Sequence, residues 1–303
     1  MRYCHANGCA SMLYLLFSVC CASGIFVVLK CVHLWSVPSR QTIFFGYVFG
    51  VLAGIVNLPS NISLASISLQ TSWLPFGISL GILYVVTLLL INGVIKFNGA
   101  TTAVIASRLS LAIPVAFSLW IFNHTAGQAS LLTYFGLALT MLALLLSSYS
   151  KKDSAVERPH RGMSWLPLAL FVTAGLLDAL TNYTNLNHLT PADTALFSIT
   201  IFAAATCVSL VLVFIKPKRF QWLSVAFGLA LGLVNYFATY FSILALHAFN
   251  NNGSLFFPIW NMGVILLSSS LGVLLFKETL NRYRRLGIAI SLAAIAILSQ
   301  TMG

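Results

Sequence analysis

Read for hydrophobicity alone, the chain is a train of apolar runs, each near the roughly 20 residues needed to cross a bilayer as a helix. The runs fall at 11–29, 41–58, 73–95, 100–122, 131–149, 165–186, 192–215, 222–247, 253–276 and 286–300, and the second and tenth are short. No alternation of period two supports a barrel. Helix is the assignment that lets every backbone amide bond within its own segment in lipid. One hydrophilic stretch interrupts the train: residues 150–163 carry Lys151, Lys152, Asp153, Glu157, Arg158, Pro159 and Arg161 and divide five runs from five. The pattern predicts an all-α polytopic membrane protein of ten transmembrane helices. It is divided into a first five-helix repeat over 1–149, a linker over 150–163 and a second five-helix repeat over 164–303.

The two halves echo each other. Phe76-Gly77 and Gly81 return as Phe227-Gly228 and Gly232, an offset of 151 that Gly24 and Gly175, and Gly136 and Gly287, also keep. Asn98-Gly99, Phe122 and His124-Thr125 return as Asn252-Gly253, Phe276 and Glu278-Thr279, offset by 154. Three residues gained before the second Asn-Gly are thus lost again after Glu278. Matching of this kind in an apolar chain indicates two copies of one membrane module. The four-spaced glycines read as places of close helix approach rather than a nucleotide cradle, and the Asn-Gly pairs as turns between spans.

Composition agrees with lipid as the main solvent. Of 303 residues, 59% are hydrophobic and 7% charged, with mean hydropathy +0.95. Soluble domains carry about 25% charged residues. The net charge of +11 does not indicate nucleic acid, because fourteen of the sixteen Lys and Arg residues lie in or beside short loops. They read instead as orientation signals and headgroup contacts. Those fourteen fall on one side of the ten-span scheme and Arg2 on the other, which puts both termini outside and the linker in the cytoplasm. An odd number of spans per copy then inverts the second copy relative to the first. Six cysteines (Cys4, Cys9, Cys20, Cys21, Cys31 and Cys207) show no metal-ligand spacing. The first run is read as a retained helix, since no small-residue cleavage site follows it.

With these features the chain resembles the drug/metabolite transporter superfamily, and within it the EamA-like branch of ten helices in two five-helix repeats. In that branch a repeat ends with a Pro-containing helix, a Gly-Glu turn and a final helix that starts near a Gly about nine residues on. Phe276-Lys277-Glu278-Thr279 with Gly287 is similar to that pattern, with Lys277 in the Gly place. The first repeat departs from it: Arg108 and Pro114 are followed by Asn123-His124-Thr125, so His124 replaces the Glu, and Gly136 lies twelve residues on. The resemblance implies a transporter and says nothing of its substrate. Members are drawn with both termini in the cytoplasm, opposite to the orientation the loop charges favour.

Candidate chemistry follows from polar groups inside the spans, where an ionisable side chain costs about 2.5–3.5 kcal/mol on insertion scales. Arg108 lies within span four. Asp178 opens a helical stripe in span six that continues with Thr181, Asn182 and Asn185. Asp178 is the candidate proton-coupling residue, and the resemblance adds that small multidrug exporters of the superfamily use a carboxylate in the equivalent helix. The alternative is a structural ion pair with Arg108. Arg108, Asn182, Asn235, Tyr236, Tyr240, Trp260 and Asn261 are the candidate substrate-binding residues. Amides, phenols and an indole suit a small, partly polar metabolite, and Arg108 would hold a carboxylate or phosphate. The bland counterpart is interhelical glue. Glu278 and His124 read as turn or cap residues at the membrane edge. Asn61, Asn123 and Asn252 open glycosylation-type tripeptides too close to the membrane to weigh.

The function expected is a gradient-driven secondary transporter of a small metabolite, an amino acid or organic anion, in the plasma (inner) membrane. Protons are the coupling ion considered, the partners are the substrate and the lipid bilayer, and neither nucleic acid nor a cofactor is expected. No GxxxxGK[ST] is present to bind ATP. The competing readings are a non-transporting sensor or scaffold on the same architecture, and a membrane enzyme. The enzyme would have only Asp178 and Asp193 as intramembrane carboxylates, no HExxH-type metal pair, and is not expected.

Overall fold

The computed structural model describes residues 2–64, 67–68, 70–98, 106–107, 109–118, 131–148, 165–215, 219–276 and 282–300. All regular structure among them is helical: α1 (Arg2–Leu34), α2 (Ser39–Val56), α3 (Leu74–Asn98), α4 (Ala112–Ala116), α5 (Leu131–Ser148), α6 (Leu166–Asn187), α7 (Thr194–Ile215), α8 (Trp222–Ala248), α9 (Gly253–Phe276) and α10 (Arg282–Gln300). A 3-10 turn at Pro191–Asp193 leads into α7. Seven of these helices, α1, α2, α3, α6, α7, α8 and α9, are long and apolar enough to cross a membrane. The chain is a multi-pass membrane protein. In α5 and α10 the apolar stretches are shorter, Tyr134–Ala143 and Arg285–Ala294. The run expected over 100–122 is described only in part, and the 150–163 linker, Arg108, His124 and Glu278 lie outside the described residues.

Local chemistry sets the helix ends. Residues 2–10, which precede the first apolar run, belong to α1, and no proline precedes Pro38 to stop it. Ser36 then takes φ 51, and the Val37 N–H reaches back to the Val32 carbonyl at 3.0 Å, the six-to-one closure of a left-handed C-terminal cap. α8 ends the same way, with Asn250 at φ 52 and the Asn251 N–H on the Leu246 carbonyl at 2.8 Å. Asparagine tolerates this backbone region because its short polar side chain bonds locally. Thr190 and Asp193 form a reciprocal capping box ahead of α7: the Thr190 hydroxyl donates to Asp193 Oδ2 at 2.6 Å.

The described chain divides into two compact units, and each draws on both halves of the sequence. One comprises residues 1–85 and 183–251. In it α8 packs along α1 and α2, and α2 packs on α7. Polar pins join these helices: Ser18 donates to the Ala238 carbonyl at 3.0 Å, and Gln41 at the start of α2 donates to the Arg219 carbonyl at 3.1 Å while accepting from Ser224 Oγ at 3.3 Å. The other unit comprises residues 86–182 and 252–303. There α5 packs on α10, α9 contacts α4 and α10, and Val94, Ala106, Leu166 and Leu170 form a core patch. Gly175 on α6 passes so close to α4 that a Cβ would sit 2.6 Å from Ile113 Cβ, and 2.8 Å from the Ser110 carbonyl just before that helix.

The glycines expected to allow close approach do so, and in matching ways. A Cβ on Gly81 in α3 would lie 2.5 Å from the Ile201 carbonyl oxygen, 2.6 Å from Ala204 Cβ and 3.0 Å from the Ala205 nitrogen. A Cβ on Gly232 in α8 would lie 2.5 Å from the Gly46 carbonyl oxygen, 2.8 Å from Phe49 Cβ and 2.9 Å from the Gly50 nitrogen. The same three kinds of atom are met in the same order, and the partners on α2 stand 155 residues before those on α7. Gly77 and Gly228 repeat the relation, meeting Phe197 and Thr200 in one case and Thr42 and Phe45 in the other. The shift from 151 to 155 reflects the separation of the contacting residues along the chain, 35 from Gly46 to Gly81 and 31 from Ile201 to Gly232.

Candidate functional site

The stripe on α6 resolves into residues with different fates. Thr181 turns its hydroxyl back to the Leu177 carbonyl at 2.8 Å, so its own helix satisfies it. Asn185, 1% exposed, donates from Nδ2 to Asn251 Oδ1 at 2.9 Å and to the Ile243 carbonyl at 3.3 Å. That side chain fastens the end of α6 to the turn after α8. Asp178 lies half-buried and is not without an interaction partner. Asn182 differs from all three. It is 1% exposed, and neither its Oδ1 nor its Nδ2 has a hydrogen-bond partner among the described residues.

What faces Asn182 is the first turn of α9. Gly253 is the first residue of that helix, and a Cβ there would collide with the Asn182 Nδ2 and sit 3.0 Å from its Cγ. Three of the four first-turn N–H groups are accounted for. Leu255 and Phe256 bond the Asn252 carbonyl at 3.2 and 3.0 Å, and Ser254 N–H bonds Ser118 Oγ at 3.2 Å. Gly253 itself abuts the Asn182 amide on its Cβ side. Asn252 also accepts the Ser254 hydroxyl at 2.6 Å, which fixes the turn into α9 that the Asn-Gly pair was expected to make. Pro258 inside α9 lacks the N–H that would bond the Ser254 carbonyl. Farther along, Trp260 stacks with Phe256 at 6.5 Å between centroids, and buried Asn261 donates to the Phe257 carbonyl at 3.0 Å. Aromatic surface and amides therefore follow the polar turn on the same helix.

The α8 candidates sit in the other unit. Tyr236 is fully buried, accepts a hydrogen bond from Asn57 Nδ2 at 3.2 Å, and stacks on Tyr240 at 5.9 Å. Tyr47 and Phe202 pack edge-on nearby, and Phe202 also meets Tyr236 edge-on. The Tyr84 hydroxyl lies 3.3 Å from Thr239 Oγ1. Asn235 is half-buried beside this cluster, and Ser242 bonds back to the Thr239 carbonyl. Tyr236 thus spends both ring and hydroxyl within its own unit. Asn57, Tyr47 and Tyr84 escape sequence reasoning because each looks like ordinary span or boundary composition. Asp193 has its carboxylate in the α7 cap. No group of three or more metal-ligating side chains occurs among the described residues.

No family model matches the chain. A Haemophilus influenzae protein described as uncharacterized is 29% identical over 286 residues, covering 93% of this chain and 95% of its own. A solved crystal structure, whose description states no activity, matches 96% of each chain with a TM-score of 0.74 at 12% identity. At that identity the likeness speaks to the fold alone.

Proposed function

We propose that this chain is a secondary transporter of the drug/metabolite type, moving a small metabolite across the plasma (inner) membrane by alternating access. Ten spans in two inverted five-helix repeats, with the termini outside, form its framework in this reading. The repeated glycine contacts of α3 with α7 and of α8 with α2 support two copies of one module. The observation that carries the reading is the Asn182 amide. A buried amide without partners costs about 1–3 kcal/mol on mutational scales, so a helix kept only for packing would hold an apolar residue there. A solute that bonds this amide in one state of a transport cycle supplies a use for it. Asn182, Trp260 and Asn261 are the substrate contacts in this proposal, with Arg108 in the same role. Asp178 couples a proton, and Asn235, Tyr236 and Tyr240 keep a candidate binding role within their own unit. An amino acid or organic anion is the substrate class.

The test is uptake and efflux of radiolabelled metabolites by proteoliposomes holding the purified full chain, with pH gradients imposed in either direction. Saturable, gradient-dependent flux absent from protein-free vesicles is expected. Flux no greater than that of protein-free vesicles across amino acids and organic anions would overturn the proposal.

A further inference from the structure

We infer that Asn182 and the first turn of α9 form the recognition point for the carboxylate of a small acid carrying a hydroxyl or ammonium group on the neighbouring carbon. The inference rests on the transport reading of the same site and names its substrate class. Two independent observations meet here. The N-terminal end of a 24-residue helix carries partial positive charge, which favours an anion beside it. Facing that end is a side-chain amide, 1% exposed, whose donor and acceptor are both unused among the described residues.

The amide sets the chemistry of the ligand. Nδ2 offers hydrogens to a carboxylate oxygen, while Oδ1 needs a donor within the width of one amide group. A hydroxyl or ammonium on the α-carbon provides one, and a plain carboxylate does not. Beyond the turn, Phe257 and the stacked Phe256–Trp260 pair offer the ligand's carbon skeleton apolar and aromatic surface. Gly253 is required because any side chain there would take the space of the amide. The amide is closed off in this structure, so binding needs the first turn of α9 to part from α6.

Purified full-length protein in detergent is titrated with lactate, phenyllactate, alanine and phenylalanine, each against its own primary amide, which lacks the carboxylate, and ligand binding is read from the shift in unfolding temperature. At least one acid is expected to bind tenfold or more tightly than its amide. Asn182→Leu should abolish that preference while unfolding at the same or a higher temperature than wild type, since it removes an unsatisfied group. Asn182→Ser, which deletes the amide without adding apolar bulk, should also abolish it and decides the matter if the Leu variant does not fold. No preference for any acid in the wild type, or a preference kept in the Ser variant, overturns the inference. Counterflow of the binding acid in proteoliposomes separates the two readings. Binding without counterflow sinks the carrier and leaves the site standing. Counterflow in which the primary amide competes as well as the acid, unchanged by Asn182→Ser, sinks the site and leaves the carrier.

Discussion

Replacing Gly81 or Gly232 by alanine tests the packing argument most directly. Either new methyl would lie within 3.0 Å of three atoms of the facing helix, two of them backbone atoms that cannot rotate aside. Relief to ordinary contact near 3.4 Å needs the helices to separate by about 1 Å. Overpacking of this severity falls at the upper end of the usual 1–3 kcal/mol. Against it stands the roughly 1 kcal/mol that alanine gains over glycine in a helix interior. The net expectation is a loss of about 2 kcal/mol for each variant, and similar losses for the two because the atoms met are of the same kinds. Gly24 and Gly93 are the controls. Their Cβ atoms would meet only side chains, Val234 at 3.4 Å and Leu166 at 3.8 Å, so alanine there should be neutral or stabilising by up to about 1 kcal/mol. Reversible unfolding of purified protein in mixed SDS micelles measures all four. Equal stability of Gly81→Ala and wild type, or losses at the control sites as large as those at Gly81 and Gly232, would refute the reasoning.

Asp178→Asn should abolish pH-driven uptake in proteoliposomes while leaving counterflow at equal pH intact; unchanged proton dependence removes Asp178 from coupling. Gln41→Leu should lower stability by about 1–3 kcal/mol, because Ser224, fully buried, and the Arg219 carbonyl lose their shared partner. A value within error of wild type in the same unfolding assay counts against that pin. Tyr236→Phe should cost about 1 kcal/mol by removing the acceptor of Asn57 Nδ2 while keeping the stack on Tyr240, whereas Tyr236→Ala should cost about 3–5 kcal/mol through the cavity left behind. Equal losses in the two would mean that the hydroxyl, not the ring, holds this cluster.

Much of the fold is legible because lipid leaves the chain few choices. Apolar runs near 20 residues become helices, and the observed ends of α2, α3 and α5 to α9 fall within a few residues of those expected. What escapes is set by backbone geometry that composition does not encode. The α1 helix continues through residues 2–10 although they are not apolar, since hydropathy finds the bilayer and not the helix. The cap at Ser36 shows no glycine to announce it. The 155-residue relation between α2 and α7 is invisible for a related reason. Gly46, Phe49 and Gly50 correspond to Ile201, Ala204 and Ala205, yet on the α2 and α7 side the contacts are made largely by main-chain atoms, which place little demand on residue identity. On the α3 and α8 side glycine is the only residue that fits, so that half of each contact survives as a readable motif.

The same asymmetry governs the site. In sequence, Asn182 and Asn185 are interchangeable members of one polar stripe, three residues apart on one helix and equally buried. Only the partners tell them apart: Asn185 donates to Asn251 and to the Ile243 carbonyl, contacts 66 and 58 residues distant that no helical period reveals. Membrane helices use amides as glue at about 0.6 kcal/mol per contact, and Asn185 fits that role. Asn182 does not, because glue requires a partner and it has none among the described residues. Gly253 carries the complementary signal. Its recurrence after Asn252 is legible as a turn, but its reason for being glycine is the space the Asn182 amide occupies, a demand made by a residue 71 positions earlier. A position where one residue must be small so that another can keep an unsatisfied amide is poorly explained by stability. It is well explained by a ligand that completes the amide's bonds, and that difference is what sets Asn182 apart from the rest of the stripe.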